Sequence, residues 1–252
     1  MTASGHDDIV RQSFRRQVSL FSGPDSPFAR RDGAMGWLEP LSPEMIVLEV
    51  ACGAAHVAES VASSVHQIVG VDLTPELLAL GADRLRDADI DNVLLQEGNA
   101  EALPFVDRSF DLVFCRSSLH HFANPVRAVG EMVRVCRRRG RVVLMDLIAP
   151  NASARDRFDH LHRLLDPSHV RVLMEDELAG VFPAGVALTY GETTTFRLPV
   201  DIAVTDQSDR DGVIAALRDE MTGGDATGFE PAIENEAIVV SFTNCVVHGT
   251  IA

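Results

Sequence analysis

The sequence predicts an α/β protein built on a doubly wound, mostly parallel sheet, and three observations carry that prediction. Residues 46–73 hold an apolar run, a small-residue turn at 52–55, a helical stripe of Val57, Val61 and Val65, and a second apolar run closing on Asp72. That is a strand–turn–helix–strand unit, the crossover that parallel neighbours need. Strand-like and helix-like stretches then alternate as far as Ile148, which places ligands at the carboxyl ends of the strands. Finally, Asp72 follows Glu49 by 23 residues. An acid roughly 20 residues past such a turn hydrogen-bonds ribose hydroxyls across the strand ends, so the unit suits an adenosine-containing ligand.

In chain order, residues 7–20 form an amphipathic helix with Ile9, Phe14, Val18 and Leu20 as its apolar residues. The segment FSGPDSPF breaks it with two prolines and a glycine. A short helix through Met35, Trp37 and Leu38 precedes the first strand, and the whole N-terminal segment is a candidate lid. After Asp72, Thr74 is placed as N-cap, Pro75 as first helical residue and Glu76 on the positive end of the dipole. Residues 92–96 and 110–116 are the third and fourth strands, the latter apolar throughout and therefore buried on both faces. A helix starts at Asn124-Pro125 with Val126, Val129, Met132, Val133 and Cys136 inward, Arg137 to Arg139 at its C-terminal end and Gly140 as its cap. The fifth strand is 142–148. Helices at 156–165 and 175–182, joined by the turn DPSHVR, make a small helical cap. Residues 186–200 and 237–247 alternate as two antiparallel strands, giving seven in all, with a helix at 212–221 between them. The loop TGGDATGFE (222–230) is glycine-rich and expected to be mobile.

Composition narrows the function classes. A chain of 252 residues, 46% of them apolar, accommodates one α/β domain with a sizeable core. No apolar run approaches the ~18 residues of a membrane span, and the polar, acidic start MTASGHDDIVRQSF gives no expectation of a signal peptide. The formal charge of −15 disfavours a nucleic-acid partner. All 22 basic residues are arginine, which removes Schiff-base and Walker-type lysine chemistry. Cys52, Cys115, Cys136 and Cys245 form no CxxC pair, against a disulfide framework or a zinc site. A reducing cytoplasm is the default location; no metal is expected, and a homodimer is left open.

The segments VLEVACGAAHVA, IVGVDLTPELL, GNAEALPF, SFDLVFCRSSLHHF and GRVVLMD, in this order and spacing, resemble the class I S-adenosylmethionine-dependent methyltransferases. The resemblance is to the small-molecule group called methyltransferase type 11, similar to ubiquinone and menaquinone-biosynthesis enzymes. It runs from about Val10 to Phe182 and implies a Rossmann-like fold with S-adenosylmethionine as methyl donor, S-adenosylhomocysteine as product and a small-molecule acceptor. The whole chain is then one domain: lid 1–43, cofactor-binding core 44–150, cap 151–184, C-terminal strands and helix 185–252. The resemblance further implies that Glu49 helps hold the methionine end and that Ala51 and Gly53 supply a backbone cradle. Asp72 would accept from both ribose hydroxyls and Leu73 pack on adenine. Asn99 and Ala100 would read its edge, and Arg116 would lie where the sulfonium passes.

Two positions depart from the family pattern. Glycine is usual at Ala55 and frequent at Ala51, because it enters the left-handed region freely; alanine there costs roughly 1–2 kcal/mol. Aspartate is common at Asn99, whose amide oxygen can still accept from an amino group without charge assistance. On the acceptor side, His120 is the candidate for the cleft, with His121 beneath the cap. His169 of the DPSHVR turn is the second candidate base, with His160 and His162 on the helix before it. A nicotinamide-dependent oxidoreductase would share the βαβ unit but give GNAEALPF and LHHF no role. A catalytically silent adenosine-binding module is the other alternative, suggested by the altered turn.

Overall fold

The computed structural model describes residues 3–22, 35–202 and 207–252; most of the FSGPDSPF loop lies outside them. The sheet order is β3-β2-β1-β4-β5-β8-β6, with short β7 (Ala232–Glu234) beside β8. Strands β1 (Ile46–Val50), β2 (Gln67–Asp72), β3 (Val93–Glu97), β4 (Phe110–Arg116) and β5 (Cys136–Ile148) run parallel. Strand β8 (Ala237–Thr250) is antiparallel to β5 and to β6 (Ala187–Pro199). The seven expected strands are present, and β7 is an eighth.

Alternation along the central strands builds two cores. Leu48, Val50, Val113, Cys115 and Leu144 face helices α4 (Pro125–Val135) and α6 (Glu175–Gly180) through Val129, Met132, Val135 and Leu178. Val47, Ile68, Leu112, Phe114 and Val143 face α2 (His56–Val61) and α3 (Pro75–Asp87) through Val57, Ala58, Val61 and Leu85. Period two explains the division, and it puts Glu49 and Arg116 on the same face as Val47 and Phe114. The chain leaves β1 toward β2 on one side, while β4 lies on the other. The switch point of the sheet is therefore between β1 and β4, where such folds bind ligands.

The helix expected from 124 to 140 ends earlier. Helix α4 stops at Val135, Cys136 opens β5, and Gly140 lies inside that strand. A Cβ on Gly140 would stand 2.7 Å from Cys136 Sγ and 2.8 Å from the Asp111 carbonyl, so the glycine serves close strand packing and not a helix cap. Arg137 instead holds the Asp111 carboxylate at 2.6 and 2.7 Å. Val126 is exposed; Ala128 and Val135 take the inward positions. Thr74 stands at the N-cap of α3 without a side-chain cap bond, though Pro75 opens the helix as expected.

In the glycine-rich loop 222–230, residues 222–226 are exposed and the residues after them are anchored. Thr227 and Phe229 are fully buried. Phe229 stacks on Phe158 of α5 (Arg155–Leu165) at 4.3 Å, and its carbonyl accepts from Ser241 N at 2.7 Å. The loop plugs a third core between α5, α7 (Gln207–Met221) and β8.

The N-terminal helix α1 (Ala3–Ser22) lies across the strand ends, with Phe21 packed on Ala54 and Leu77. The expected apolar residues Phe14, Val18 and Leu20 pack against the same cluster, and His6, Ser13 and Gln17 are buried beside them, so the docked face is mixed.

Candidate functional site

One cavity opens at the carboxyl ends of β1 to β5 beneath α1. Glu49, Ala51, Gly53, Asp72, Leu73, Asn99, Ala100, Arg116 and His120 all line it; His169 does not.

At the β1 end the turn is held in the left-handed region: φ is 56° at Ala51, 53° at Gly53 and 58° at Ala55. Both alanines therefore carry the strain that the sequence leaves as one of two options. Glu49 is buried and its Oε2 accepts from Ala58 N at 3.0 Å, which ties β1 to the first turn of α2. Burial pushes its carboxyl up to about 8, against the pull of the Arg116 guanidinium. Arg116, on the same face, makes no hydrogen bond with its guanidinium among the described residues; burial lowers its pKa and Glu49 raises it.

Asp72 closes β2. Its Oδ2 accepts from Gly53 N and its Oδ1 from Thr74 N, both at 2.8 Å. Burial raises its pKa, and these amides work the other way. A carboxylate offers about four acceptor sites, so each oxygen keeps capacity toward the cavity.

Past β3, Asn99 Oδ1 accepts from Glu101 N at 2.7 Å and its Nδ2 donates to Asp7 Oδ2 of α1 at 2.9 Å. The lid is fastened at its far end too. Ser13 donates to Asp166 at 2.7 Å and Gln17 at 3.2 Å, while His6 Nε2 donates to the His121 carbonyl at 2.7 Å.

Beyond β4, a short 3-10 turn, Leu119–His121, delivers two histidines. His120 Nδ1 donates to Asp146 Oδ1 at 2.5 Å. Asp146 lies near the end of β5 and also accepts from the amides of Ser118, Leu119 and Leu147. Burial raises its pKa, and His120 with these amides outweighs burial to hold it low. His120 Nε2 has no partner among the described residues. His121 donates Nδ1–H to Ser168 Oγ at 3.0 Å, since that hydroxyl donates onward to Asp166 at 2.6 Å. Burial pushes His121 down to about 4.

His169 is also in a histidine–aspartate pair, with Asp159 at 2.6 Å, but its side chain is fully buried. It lies behind His162, ring on ring at 4.1 Å. Burial and the neighbouring histidines lower it to about 2. His162 takes the cavity-facing place, its Nδ1 buried and without a partner. His162 is pushed well below its ordinary value by burial and by His169. Sequence reasoning missed Asp146, though an acid ending the apolar run GRVVLMD was its signal.

Among the described residues no group of His, Cys, Asp or Glu is placed to hold a metal ion, and no helix is long and apolar enough to cross a membrane.

A switch-point cavity with acids at the ends of β1 and β2 defines a nucleoside-cofactor α/β domain. Residues 48–144 match the methyltransferase-domain family. The chain is 39% identical over 155 residues to an uncharacterized methyltransferase, YcgJ of Bacillus subtilis, covering 61% of each. It is 35% identical over 109 residues to a demethylmenaquinone methyltransferase of Listeria welshimeri, covering 42% of this chain and 46% of that one. The chain thus spans about three-fifths or less of the curated relatives it matches. The crystal structure of YcgJ superposes with a TM-score of 0.76 at 28% identity, covering 84% of this chain and 94% of that one.

Proposed function

We propose that this chain transfers the methyl group of S-adenosylmethionine to a small, neutral, apolar acceptor bearing an acidic hydroxyl, with His120 as base and Asp146 behind it. The observation that carries this reading is that His120, whose Nδ1 is held by buried Asp146, lines the same cavity as Glu49 and Asp72. The residues fit the cofactor: Asp72 has acceptor capacity for two vicinal hydroxyls, and Glu49 with Arg116 puts an acidic and a basic side chain where an amino-acid zwitterion would lie. When bound, S-adenosylmethionine supplies an electrophilic methyl on a sulfonium, and alignment of the acceptor supplies much of the rate. With its Nδ1–H fixed on Asp146, His120 presents Nε2 to take the acceptor proton, and Asp146 stabilises the imidazolium.

Leu147, Leu165, Phe196, Leu198 and Phe242 form the wall beside these histidines, which favours an apolar ring over a charged acceptor. The four cysteines are free and buried, consistent with a cytoplasmic enzyme acting on a small molecule.

Titration calorimetry with S-adenosylhomocysteine and NADH tests the cofactor. The first should bind and the second should not, and Asp72→Ala should weaken binding at least ~10-fold by removing a charged acceptor of ~1.5–3 kcal/mol per bond. Binding of NADH alone would make the domain an oxidoreductase. A mass-spectrometric screen of phenolic, quinone-like and thiol compounds for a 14-dalton gain (the conversion of a hydrogen to a methyl group, roughly) then identifies the acceptor.

A further inference from the structure

Asn99 has its side chain committed at both ends. The Glu101 amide must donate to the oxygen, so the nitrogen is the atom turned to Asp7. A carboxylate oxygen without a partner among the described residues at this end of the cavity is the other oxygen of Asp7, which belongs to the lid. Arg11, one turn further along α1, fixes that carboxylate over the sheet by donating to the Leu73 carbonyl at 3.0 Å and to Glu97 at 3.2 Å.

Strands β2 and β3 are paired with Asp72 opposite Glu97. A nucleoside whose sugar hydroxyls sit on Asp72, and whose tail runs to Glu49 and Arg116, must extend its base toward the end of β3. Asp7, Leu73, Asn99 and Ala100 line the cavity there.

We propose that Asp7, delivered by the lid helix, accepts from the exocyclic amino group of the adenine, and that Asn99 is the positioning residue that holds it there. The proposal rests on the S-adenosylmethionine reading above and adds a specificity determinant outside the sheet. It accounts for the amide at position 99: an acid there would face the Asp7 carboxylate across a 2.9 Å contact, and like charges repel at that range. It also makes base recognition conditional on a docked lid, because the acceptor leaves the cavity when α1 does.

Four proteins test it by calorimetry: wild type, Asp7→Asn, Asn99→Asp and the double exchange, each checked for a native circular dichroism spectrum. The ligands are S-adenosylhomocysteine and its 6-oxo analogue, S-inosylhomocysteine. Wild type should prefer the amino ligand at least ~10-fold, the scale of one charge-assisted hydrogen bond. Asp7→Asn should weaken S-adenosylhomocysteine and bring that preference within about threefold, and Asn99→Asp alone should weaken binding ~10-fold or more. The double exchange restores a carboxylate–amide pair with the roles reversed, and should return affinity to within about threefold of wild type. Undiminished amino preference in Asp7→Asn, or Asn99→Asp binding as well as wild type, overturns the assignment. Wild type that binds neither ligand removes the cofactor reading itself, a separate outcome.

Discussion

The two ends of the cavity are built in different ways. At the cofactor end, Glu49, Asp72 and Asn99 stand at or near the ends of β1, β2 and β3, and each accepts from a backbone amide of an adjoining turn, with Asp7 of α1 as the added side-chain partner of Asn99. At the acceptor end, His120, Asp146, His162 and Phe242 come from the turn after β4, from β5, α5 and β8, and they meet through side-chain contacts between distant elements. A site assembled from local backbone geometry survives in the sequence as a motif. One assembled from distant side chains leaves only residue types, and the pairing has to be seen.

The acceptor end makes the point with two pairs of one chemistry. His120–Asp146 and His169–Asp159 are both short contacts, at 2.5 and 2.6 Å, yet only the first borders the cavity. His120→Ala should cut turnover by about 10²–10⁴-fold, the span of a general base, while S-adenosylhomocysteine affinity stays within a few-fold. His169→Ala should instead lower the urea midpoint, because it opens a hole behind His162 and leaves Asp159 unpaired. Equal losses of turnover with unchanged stability in both variants would erase the distinction between the pairs.

What was legible follows from that contrast. The doubly wound sheet, and β4 to the residue, were readable because alternation is a local signal; the residues that the resemblance places at the cofactor end all line the cavity. His169 was not, since adjacency in the turn DPSHVR does not say that α5 places His162 in front of it. The arginine run and Gly140 resembled a helix terminus, but the ladder with β4 and β8 takes that segment into β5. Ser13 and Gln17 were overlooked because their reason for burial, Asp166, is about 150 residues away.

The two ends should also titrate in opposite senses. His121 is lowered to about 4 and His169 to about 2, with His162 likewise depressed. Unfolding lets them take up protons below their ordinary value of 6.5, so they stabilise the fold above that pH and the stability is lost as pH falls. Glu49 is raised to about 8; the folded state keeps its proton between 4.5 and 8, so this group costs stability as pH rises through that window. Wild type should be most stable near pH 6.5, falling on both sides in urea titrations. In Glu49→Gln the alkaline decline to pH 8 should flatten and the acid decline steepen, each by up to ~1.4 kcal/mol per pH unit. An unchanged alkaline limb would mean that Glu49 is already ionised in the fold.

The smallest expected effect lies within the cofactor end, between two residues of one turn. Ala51 and Ala55 share the same φ, 56° and 58°, and glycine would relieve each of roughly 1 kcal/mol of left-handed strain. Glycine also raises the entropy lost on folding, by about 0.5–1 kcal/mol. The surroundings differ: Ala55 is fully buried in the core against α2, whereas Ala51 is only half-buried. Losing the Ala55 methyl forfeits a further ~0.8 kcal/mol of apolar burial. Ala51→Gly should therefore be neutral to slightly stabilising and Ala55→Gly destabilising by about 0.3–0.8 kcal/mol, a difference resolvable in paired urea midpoints. If Ala51→Gly destabilises more than Ala55→Gly, backbone strain does not govern this turn, and the alanines are held by packing that the φ values conceal.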